Sequence, residues 1–197
     1  QGEHTAPEAL EAIRHGLHHL SEVNVELVNH RKDGTPFWNH LRISPVFDQQ
    51  GSCTHFIGTQ QDITQQKEQE AKVAYQATHD LITGLPNEAS FHEMVRQAVV
   101  PGESASVVVL YLDLDGFKPI NDELGHPIGN QVLKTIAHRL TDLIAQPATV
   151  ARLVGDEFAL LISTYTNCRE IIQLAERILT HLAKPIDVLG QMVHISA

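Results

Sequence analysis

The sequence predicts an α+β protein of two domains, and three features lead to this prediction. Residues 23 to 62 contain three short runs in which apolar and polar side chains alternate, which is typical of antiparallel strands. Residues 107 to 112 form a continuous apolar run, which is typical of a buried strand. Residues 63 to 79 are rich in helix formers and contain no glycine or proline. We therefore expect two separate sheets, in domains 1–62 and 80–197, joined by a connector helix.

Composition narrows the classes of partner and the cellular compartment. The chain has 197 residues, 42% of them apolar, and a net charge of −10. An acidic chain without a basic run is a poor binder of nucleic acid or of an anionic membrane surface. The two cysteines, Cys53 and Cys168, fall in different predicted domains, which favours a reducing, cytoplasmic location over a disulfide framework. No apolar run approaches the roughly 18 residues that span a membrane.

The first half predicts one helix followed by a three-stranded antiparallel sheet. Pro7 suits the first turn of a helix over residues 7 to 20. Strands are expected from residue 23, over 36–47 after a Lys-Asp-Gly turn, and over 53–62. Three strands behind one helix are too few to close a core, so we expect more sheet upstream or from a partner.

Two segments of this half, residues 29–39 and 56–64, resemble the C-terminal half of a PAS domain. The resemblance is closest to the flavin-binding LOV subgroup and implies FMN or FAD as cofactor and a photoreceptor role. In that subgroup the positions that hydrogen-bond the flavin ring match Asn29, Asn39 and Gln60. Gln1, followed by Gly2, matches the end of the motif that carries the photoactive cysteine.

The chemistry of these amides agrees with a flavin without requiring one. An amide side chain offers both a donor pair and an acceptor, which suits the alternating edge of the flavin ring. The alternative is that the same amides are ordinary sheet residues in a PAS domain that holds another ligand or none.

The second half predicts alternating helices and strands. A turn-rich segment, 81–87, precedes a helix that places Phe91 on its apolar face. The strand over 107–112 delivers two aspartates to its C-terminal end. The remaining predicted elements are a helix over about 129–143, a hairpin over 149–162 with Gly155 at its tip, a helix over 169–183 and a strand from residue 191.

Acidic residues from separate strands suggest a metal site. Asp113 follows the buried strand, and Asp156 lies in the hairpin, which can pair beside it. Hard carboxylate oxygens are the ligands that Mg²⁺ prefers, and Mg²⁺ neutralises phosphate charge in nucleotide chemistry. The alternative is two solvated carboxylates in turns.

Four segments of the second half are similar, in order and spacing, to the GGDEF family. They are residues 80–87, 113–118, 121–130 and 152–158. The resemblance implies a palm-like sheet flanked by helices, which this sequence would supply incompletely because it ends within the expected last strand. Active members are diguanylate cyclases that join two GTP molecules into cyclic di-GMP across a homodimer.

The resemblance also implies roles for individual residues. Mg²⁺ would be held by Asp113, Asp156 and the Leu114 carbonyl. Glu157 would complete the catalytic acidic signature with Asp156. The implied substrate-binding positions are Phe117, Lys118 near phosphate, Asn121 and Asn130 at guanine, and Gly155.

The sequence departs from the active pattern at several of these positions. Val154 replaces the first glycine of the signature, where a positive φ would strain a β-branched residue and its side chain would crowd the phosphate. Asn130 replaces a guanine-reading aspartate, and an amide accepts through one oxygen only. Glu88 replaces an arginine, and the positions of the product-inhibition motif hold Ala145 and Ala148.

Two functions follow from this combination. The departures favour a degenerate GGDEF domain that binds GTP or passes on a signal, an arrangement compatible with an EAL phosphodiesterase domain on its C-terminal side. The alternative is an active diguanylate cyclase, which the carboxylates at 113, 156 and 157 favour.

Overall fold

The computed structural model describes residues 6–99, 107–144 and 148–197, and these form two compact units. The first unit is Gln1–Val73 and the second is Ala74–Ala197. No helix within the described ranges is both long enough and apolar enough to cross a membrane. The predicted α+β class is confirmed. The domain boundaries drawn from the sequence, after residues 62 and 79, stay predictions.

The first unit contains one antiparallel sheet whose strands follow sequence order. Helix α1, Pro7–His18, precedes strands β1, Val23–His30, β2, Pro36–Phe47, and β3, Cys53–Asp62. Helix α2, Thr64–Gln76, starts in this unit and ends in the second one. Glycines with positive φ, Gly34 and Gly51, form the two strand connections. The predicted strands and the connector helix are present.

The second unit has a three-stranded antiparallel sheet and a small two-stranded hairpin. Its elements are α3, Glu88–Ala98; β4, Val108–Leu112; α4, Phe117–Leu124; α5, His126–Leu143; β5, Thr149–Arg152; β6, Phe158–Ile162; α6, Cys168–Leu182; β7, Ile186–Val188; and β8, Gln191–Val193. The sheet has the strand order β4-β6-β5, and the hairpin pairs β7 with β8.

The core of the second unit lies on both faces of the central strand β6. Phe158 and Leu160 belong to a large buried cluster, to which α5 contributes a fully buried apolar stripe. Ala159 and Leu161 point the other way, into a smaller cluster with Phe91 of α3. Because a strand alternates its side chains, a continuous apolar sequence such as 158–162 is expected only where both faces are covered.

Two elements of this unit lay outside the predictions, and each has a local reason. Helix α4 contains Pro119 near its start and follows Gly116, which has a φ of 81°. These residues indicate a turn, although Pro in the first turn does not interrupt a helix. Strand β7 has only three residues, which is too short for an alternating pattern to be recognised.

Arg139 of α5 closes the C-terminal end of α6. Its guanidinium donates hydrogen bonds to the carbonyl oxygens of Leu182, at 3.1 Å, and Pro185, at 2.8 Å, and also to those of His181 and Lys184. The last carbonyls of a helix have no partner within the helix, so a cation at this end satisfies them.

We expect Arg139→Met to lower the free energy of unfolding by about 2 kcal/mol, because several carbonyls lose a charged donor. Urea unfolding would measure this loss. Lys134→Met, at an exposed position of the same helix, should change the free energy of unfolding by less than about 0.5 kcal/mol. Equal effects of the two variants would show that Arg139 does not cap α6.

Candidate functional site

The turn between β5 and β6 carries the acidic signature. The backbone N–H of Glu157 donates to the carbonyl oxygen of Val154 at 2.9 Å, and that of Leu153 donates to the Glu157 carbonyl oxygen at the same distance. Gly155 has a φ of 60°, a left-handed conformation that glycine adopts at little cost. Asp156 is half-buried and Glu157 is exposed. The predicted hairpin with Gly155 at its tip is therefore present.

The strain expected at Val154 is absent. Among the described residues, the only non-glycine residues with a positive φ are Leu20 and Leu189. Val154 stays in the ordinary region because the left-handed position of the turn falls on Gly155. The side chain of Val154 is 62% exposed, so it projects from the turn into solvent. The expectation of a strained Val154 backbone was wrong, whereas the expectation that its side chain crowds a phosphate stays a prediction.

The register of the sheet brings Asp113 beside the signature. Leu112 of β4 pairs with Phe158 of β6 in an antiparallel register. Asp113 follows Leu112 and Glu157 precedes Phe158, so these two residues lie beside each other. Asp113 and Glu157 accordingly line one shallow depression of about 220 Å³ together with Tyr111. Asp156 does not line it. The convergence of Asp113 with Asp156 stays a prediction.

The carboxylates form an acidic rim and not a preassembled metal centre. Within residues 6–99, 107–144 and 148–197, no group of three His, Cys, Asp or Glu side chains is arranged to hold a metal ion. Asp115 is turned toward Ser196, whose backbone carbonyl accepts from its N–H at 2.8 Å and whose hydroxyl donates to its carboxylate at 3.2 Å. The remaining donors, Asp113, Glu157 and the neighbouring Asp156, are hard oxygen ligands that suit Mg²⁺.

The segment after β4 leads from this rim into α4. The Leu114 carbonyl accepts a long hydrogen bond from the Phe117 N–H, at 3.4 Å. The side chain of Phe117 is only 7% exposed and packs in the main core, so only its backbone is available to a ligand. Lys118, one residue further on, is exposed and free to reach an anion.

Asn121 and Asn130 lie at the α4–α5 corner, and both are half-buried. The side chain of Asn121 lies against Gly129, the residue before Asn130. Neither amide forms a side-chain hydrogen bond with any part of the chain that the structure describes. Both are therefore available to a ligand.

A buried ion pair fixes the base of the signature turn, and the sequence reasoning missed it. Arg152 donates to both carboxylate oxygens of Asp80, each at 2.9 Å. Its remaining N–H groups donate to the carbonyl oxygen of Gly155 at 3.0 and 2.5 Å. Asp80 also accepts from the backbone N–H and the hydroxyl of Thr83. The side chain of Arg152 is 8% exposed. An arginine in an otherwise apolar strand was the available signal, since such a residue is rarely buried without a partner.

These contacts keep Asp80 ionised. Partial burial acts to raise the pKa of Asp80, but the hydrogen bonds from Thr83 and the Arg152 guanidinium outweigh it and hold the pKa below its ordinary value. Because the pKa is lower in the folded state, the pair contributes stability above the ordinary aspartate pKa. That stability is lost as the pH falls through the folded pKa.

The first unit gathers the three predicted amides on one face of its sheet. Antiparallel pairing sets Asn29 opposite Phe37, and Leu41 opposite Gln60. Residues two apart on a strand share a face, so Asn29, Asn39 and Gln60 lie on the same side. Gln1 lies outside the described residues.

The environments of these amides differ. Asn39 is 1% exposed, and within the described chain neither its amide nitrogen nor its amide oxygen has a hydrogen-bond partner. Asn29 accepts from the backbone N–H of His30 at 2.9 Å, and Gln60 is exposed. The buried, unpartnered amide of Asn39 fits the edge of a planar heterocycle such as a flavin. Asn29 and Gln60 would add polar groups on the same face.

The end of β3 has an arrangement similar to that of Asp80. The Asp62 carboxylate accepts from the backbone N–H of Thr64 at 3.0 Å, from the Thr64 hydroxyl at 2.6 Å, and from Arg31. These donors lower the pKa of Asp62 to about 2, with the hydroxyl of Thr64 as the largest cause. The Thr64 hydroxyl also accepts from the backbone N–H of Trp38, which ties the first residue of α2 to the sheet.

The second unit is thus an α+β domain with an acidic hairpin and two amides that have no side-chain hydrogen bond within the described residues, and it follows a small antiparallel sheet along the chain. Residues 77–197 match the family described as "Diguanylate cyclase, GGDEF domain", and residues 1–65 match the PAS domain family. The chain belongs to the GGDEF family, with a PAS segment in front of the GGDEF domain.

Individual relatives agree with this assignment. Diguanylate cyclase TpbB of Pseudomonas aeruginosa is 37% identical over 122 residues, which are 61% of this chain and 28% of that protein. Cyclic di-GMP phosphodiesterase PdeR of Escherichia coli is 35% identical over 127 residues, 64% of this chain and 19% of that protein. The first of the curated relatives, three mycobacterial proteins, are matched over 20% of their length, so the chain spans a small part of each.

Solved structures show the same fold. A sensory box/GGDEF family protein from Caulobacter crescentus aligns with a TM-score of 0.57 and 34% identity, covering 61% of this chain and 79% of that one. The isolated GGDEF domain of TpbB aligns with a TM-score of 0.57 and 36% identity, covering 60% of this chain and 70% of that one.

We expect Asp80→Asn to lower the free energy of unfolding by about 2 kcal/mol at pH 7, because it removes one partner of a largely buried ion pair but leaves an acceptor in place. The difference from wild type should narrow as the pH falls from about 5, because protonation of Asp80 removes the same charge in the wild type. Urea unfolding across this pH range measures both effects.

Asp142→Asn is the matched control, since Asp142 is exposed on α5 and has no ion pair within the described chain. It should lie near wild type throughout. A constant difference between Asp80→Asn and wild type down to low pH would contradict the role of the Asp80 charge.

Proposed function

We propose that this chain is the sensor and GGDEF portion of a cyclic di-GMP signalling protein, in which the GGDEF domain binds GTP as a regulatory module. Asp113 and Glu157 share one depression, which supports a metal–nucleotide site at the signature hairpin. The exposed side chain of Val154 stands on the same turn and would oppose close approach of a phosphate. Binding of GTP with slow turnover follows from the two together.

In this proposal each residue has a defined contact. Asp113, Asp156 and the Leu114 carbonyl would hold Mg²⁺, which neutralises phosphate charge when bound. Lys118 is exposed near the start of α4 and would meet the phosphates as a point charge. Asn121 and Asn130 would face the base.

Asn130 is the second reason to expect weak catalysis. The edge of guanine presents two adjacent N–H donors, which a carboxylate accepts together. An amide accepts one of them and directs its own N–H toward the other. A bound guanine would therefore be held less tightly at this position, which lowers the fraction of GTP in a reactive orientation.

The alternative function is an active diguanylate cyclase that acts as a homodimer. The carboxylates at 113, 156 and 157 favour it, and so does the unstrained backbone of Val154. Under the regulatory proposal the domain would act on a neighbouring output domain, for which an EAL phosphodiesterase is a suitable class, and would bind GTP or cyclic di-GMP as effector.

A turnover assay separates the two functions. The full-length protein is incubated with GTP and Mg²⁺, and nucleotide binding and cyclic di-GMP are both measured. We expect GTP to bind with little product in wild type. Val154→Gly combined with Asn130→Asp should raise turnover at least about tenfold, since one wrong donor and one steric block each cost about 1 kcal/mol or more. Asp113→Asn added to this pair should abolish the gain.

Wild-type turnover as fast as that of the combined variant would overturn the regulatory proposal and leave the cyclase alternative. If neither the wild type nor the combined variant binds GTP, both the regulatory proposal and the cyclase alternative are overturned.

For the PAS half we propose a planar heterocyclic ligand, with FMN or FAD as the specific candidates. The support is the amide of Asn39, which is 1% exposed and has no partner within the described residues. A buried amide without hydrogen bonds costs about 1–3 kcal/mol, and a bound ring edge would remove that cost.

We expect Asn39→Leu to prevent retention of a yellow flavin chromophore in the full-length protein, as read from its visible absorbance. The same change should raise the free energy of unfolding of the ligand-free protein by about 1 kcal/mol, because an unpaired amide is replaced by an apolar group. Asn24→Leu is the control for chromophore retention, because Asn24 of β1 lies on the face of the sheet opposite to that of Asn39. Wild-type protein without any chromophore, combined with a destabilised Asn39→Leu variant, would contradict this proposal.

A further inference from the structure

We infer that Gly129 is a positioning residue for Asn121. Because glycine has no side chain, the Asn121 amide can pack directly against Gly129, and this packing orients the amide for contact with a purine base. The inference rests on the proposed function, in which Asn121 faces the base of GTP. It adds a residue that would touch no nucleotide and yet would control base selectivity.

The α4–α5 corner creates this contact. The backbone N–H of Gly125, with a φ of 84°, donates to the carbonyl oxygen of Asn121 at 3.0 Å and ends α4. The chain then reverses into α5, where the N–H of Gly129 donates to the carbonyl oxygen of Gly125 at 3.2 Å. The fourth residue of α5 is thereby brought against the side chain of Asn121.

Space, and not backbone freedom, explains a glycine at this position. Gly129 has no positive φ, so its backbone does not require glycine. A Cβ placed on Gly129 would lie 1.9 Å from Oδ1 and 2.9 Å from Cγ of Asn121, distances that no packed carbon tolerates. Glycine within a helix is less favourable than alanine, so this contact explains a residue that is otherwise costly.

The surroundings leave Asn121 one direction in which to yield. The same Cβ would lie 3.4 Å from Cζ of Phe117, whose side chain is 7% exposed in the core and has little room to move. Asn121 is half-buried, so an added methyl group would push its amide outward, away from Gly129. Hydrogen-bond recognition of a base depends on the position of such an amide to within a few tenths of an ångström.

Packing is the main restraint on this amide, because its side chain has no hydrogen bond within the described chain. The phosphate contacts proposed above come from elsewhere, namely Lys118 and the carboxylates near β4 and the hairpin. A change at Gly129 should therefore lower base discrimination and leave binding of the triphosphate group largely unchanged.

The experiment compares the full-length protein with its Gly129→Ala variant in the presence of Mg²⁺. Dissociation constants are measured for GTP, ATP and inorganic triphosphate. We expect the preference for GTP over ATP to fall at least about tenfold in the variant, since a base-reading hydrogen bond is lost. Affinity for inorganic triphosphate should stay within about twofold. Tm should rise by less than about 2 °C, because the displaced amide offsets most of the gain that alanine brings to a helix.

Gly58→Ala is the matched control for Tm. Gly58 also lies in regular structure without a positive φ, and nothing lies within 4 Å of a Cβ placed there. This variant should keep the nucleotide preference of the wild type and raise Tm slightly, as alanine does in regular structure.

A double-variant cycle tests the contact itself. In an Asn121→Ala background the clashing amide is absent, so adding Gly129→Ala should raise Tm by about 3 °C or more, a larger rise than in the wild-type background. An equal change in Tm in both backgrounds would overturn the contact with Asn121. An unchanged GTP preference in Gly129→Ala would overturn the positioning role.

A failure of the proposed function gives a different result. Wild-type protein that binds neither GTP nor triphosphate would overturn nucleotide binding, and with it the base-reading role of Asn121. The double-variant cycle in Tm would still decide whether the side chain of Asn121 packs against Gly129.

Discussion

The ion pair between Arg152 and Asp80 is the constraint on which the candidate site depends. The side chain of Arg152 is 8% exposed. Besides its bonds to Asp80, it donates from Nε and Nη2 to the carbonyl oxygen of Gly155, inside the signature turn. Asp80 begins the segment that follows the connector helix, and its backbone N–H donates to Leu85. One buried side chain therefore joins that segment to the signature turn. A displacement of either one costs hydrogen bonds to a buried charge, so the two positions are physically coupled.

The same chemistry occurs near each end of the connector, with different energetic weight. Asp62 and Asp80 each accept from the backbone N–H and hydroxyl of a threonine and from an arginine. The ion pair of Asp62 is exposed, so water and salt screen it and its contribution to stability is small. The Asp80 pair is largely buried and interacts more strongly. The contacts of Asp62 orient the start of α2, whereas the Asp80–Arg152 pair fixes the signature turn.

Side-chain amides without partners distinguish the candidate ligand sites from the rest of the molecule. Buried polar groups in folded proteins are nearly always hydrogen-bonded. Asn39 departs from that rule in the first unit, and Asn121 and Asn130 are available in the second. Arg152 and Arg139 donate instead to acceptors of the protein itself. Polar groups that the protein satisfies stabilise it, whereas the amides without a partner in the described chain are the candidates for contact with a ligand.

The sequence by itself determined the α+β class, every strand of the first unit, the glycine-tipped hairpin and the family. These depend on local patterns: alternation over residues 23–62, the apolar run before Asp113, and motif spacing. It did not reveal helix α4, because Pro119 and Gly116 indicate a turn when only neighbouring residues are considered.

Only the tertiary structure decided which residue of the signature turn takes the left-handed conformation. That residue is Gly155, and this leaves Val154 unstrained. It also decided the partners of Arg152 and the contact between Asn121 and Gly129. Asp80 and Arg152 are far apart in sequence, so no local pattern indicates that they form a pair. The absence of a Cβ at Gly129 matters only because the side chain of Asn121 occupies the place that this atom would take.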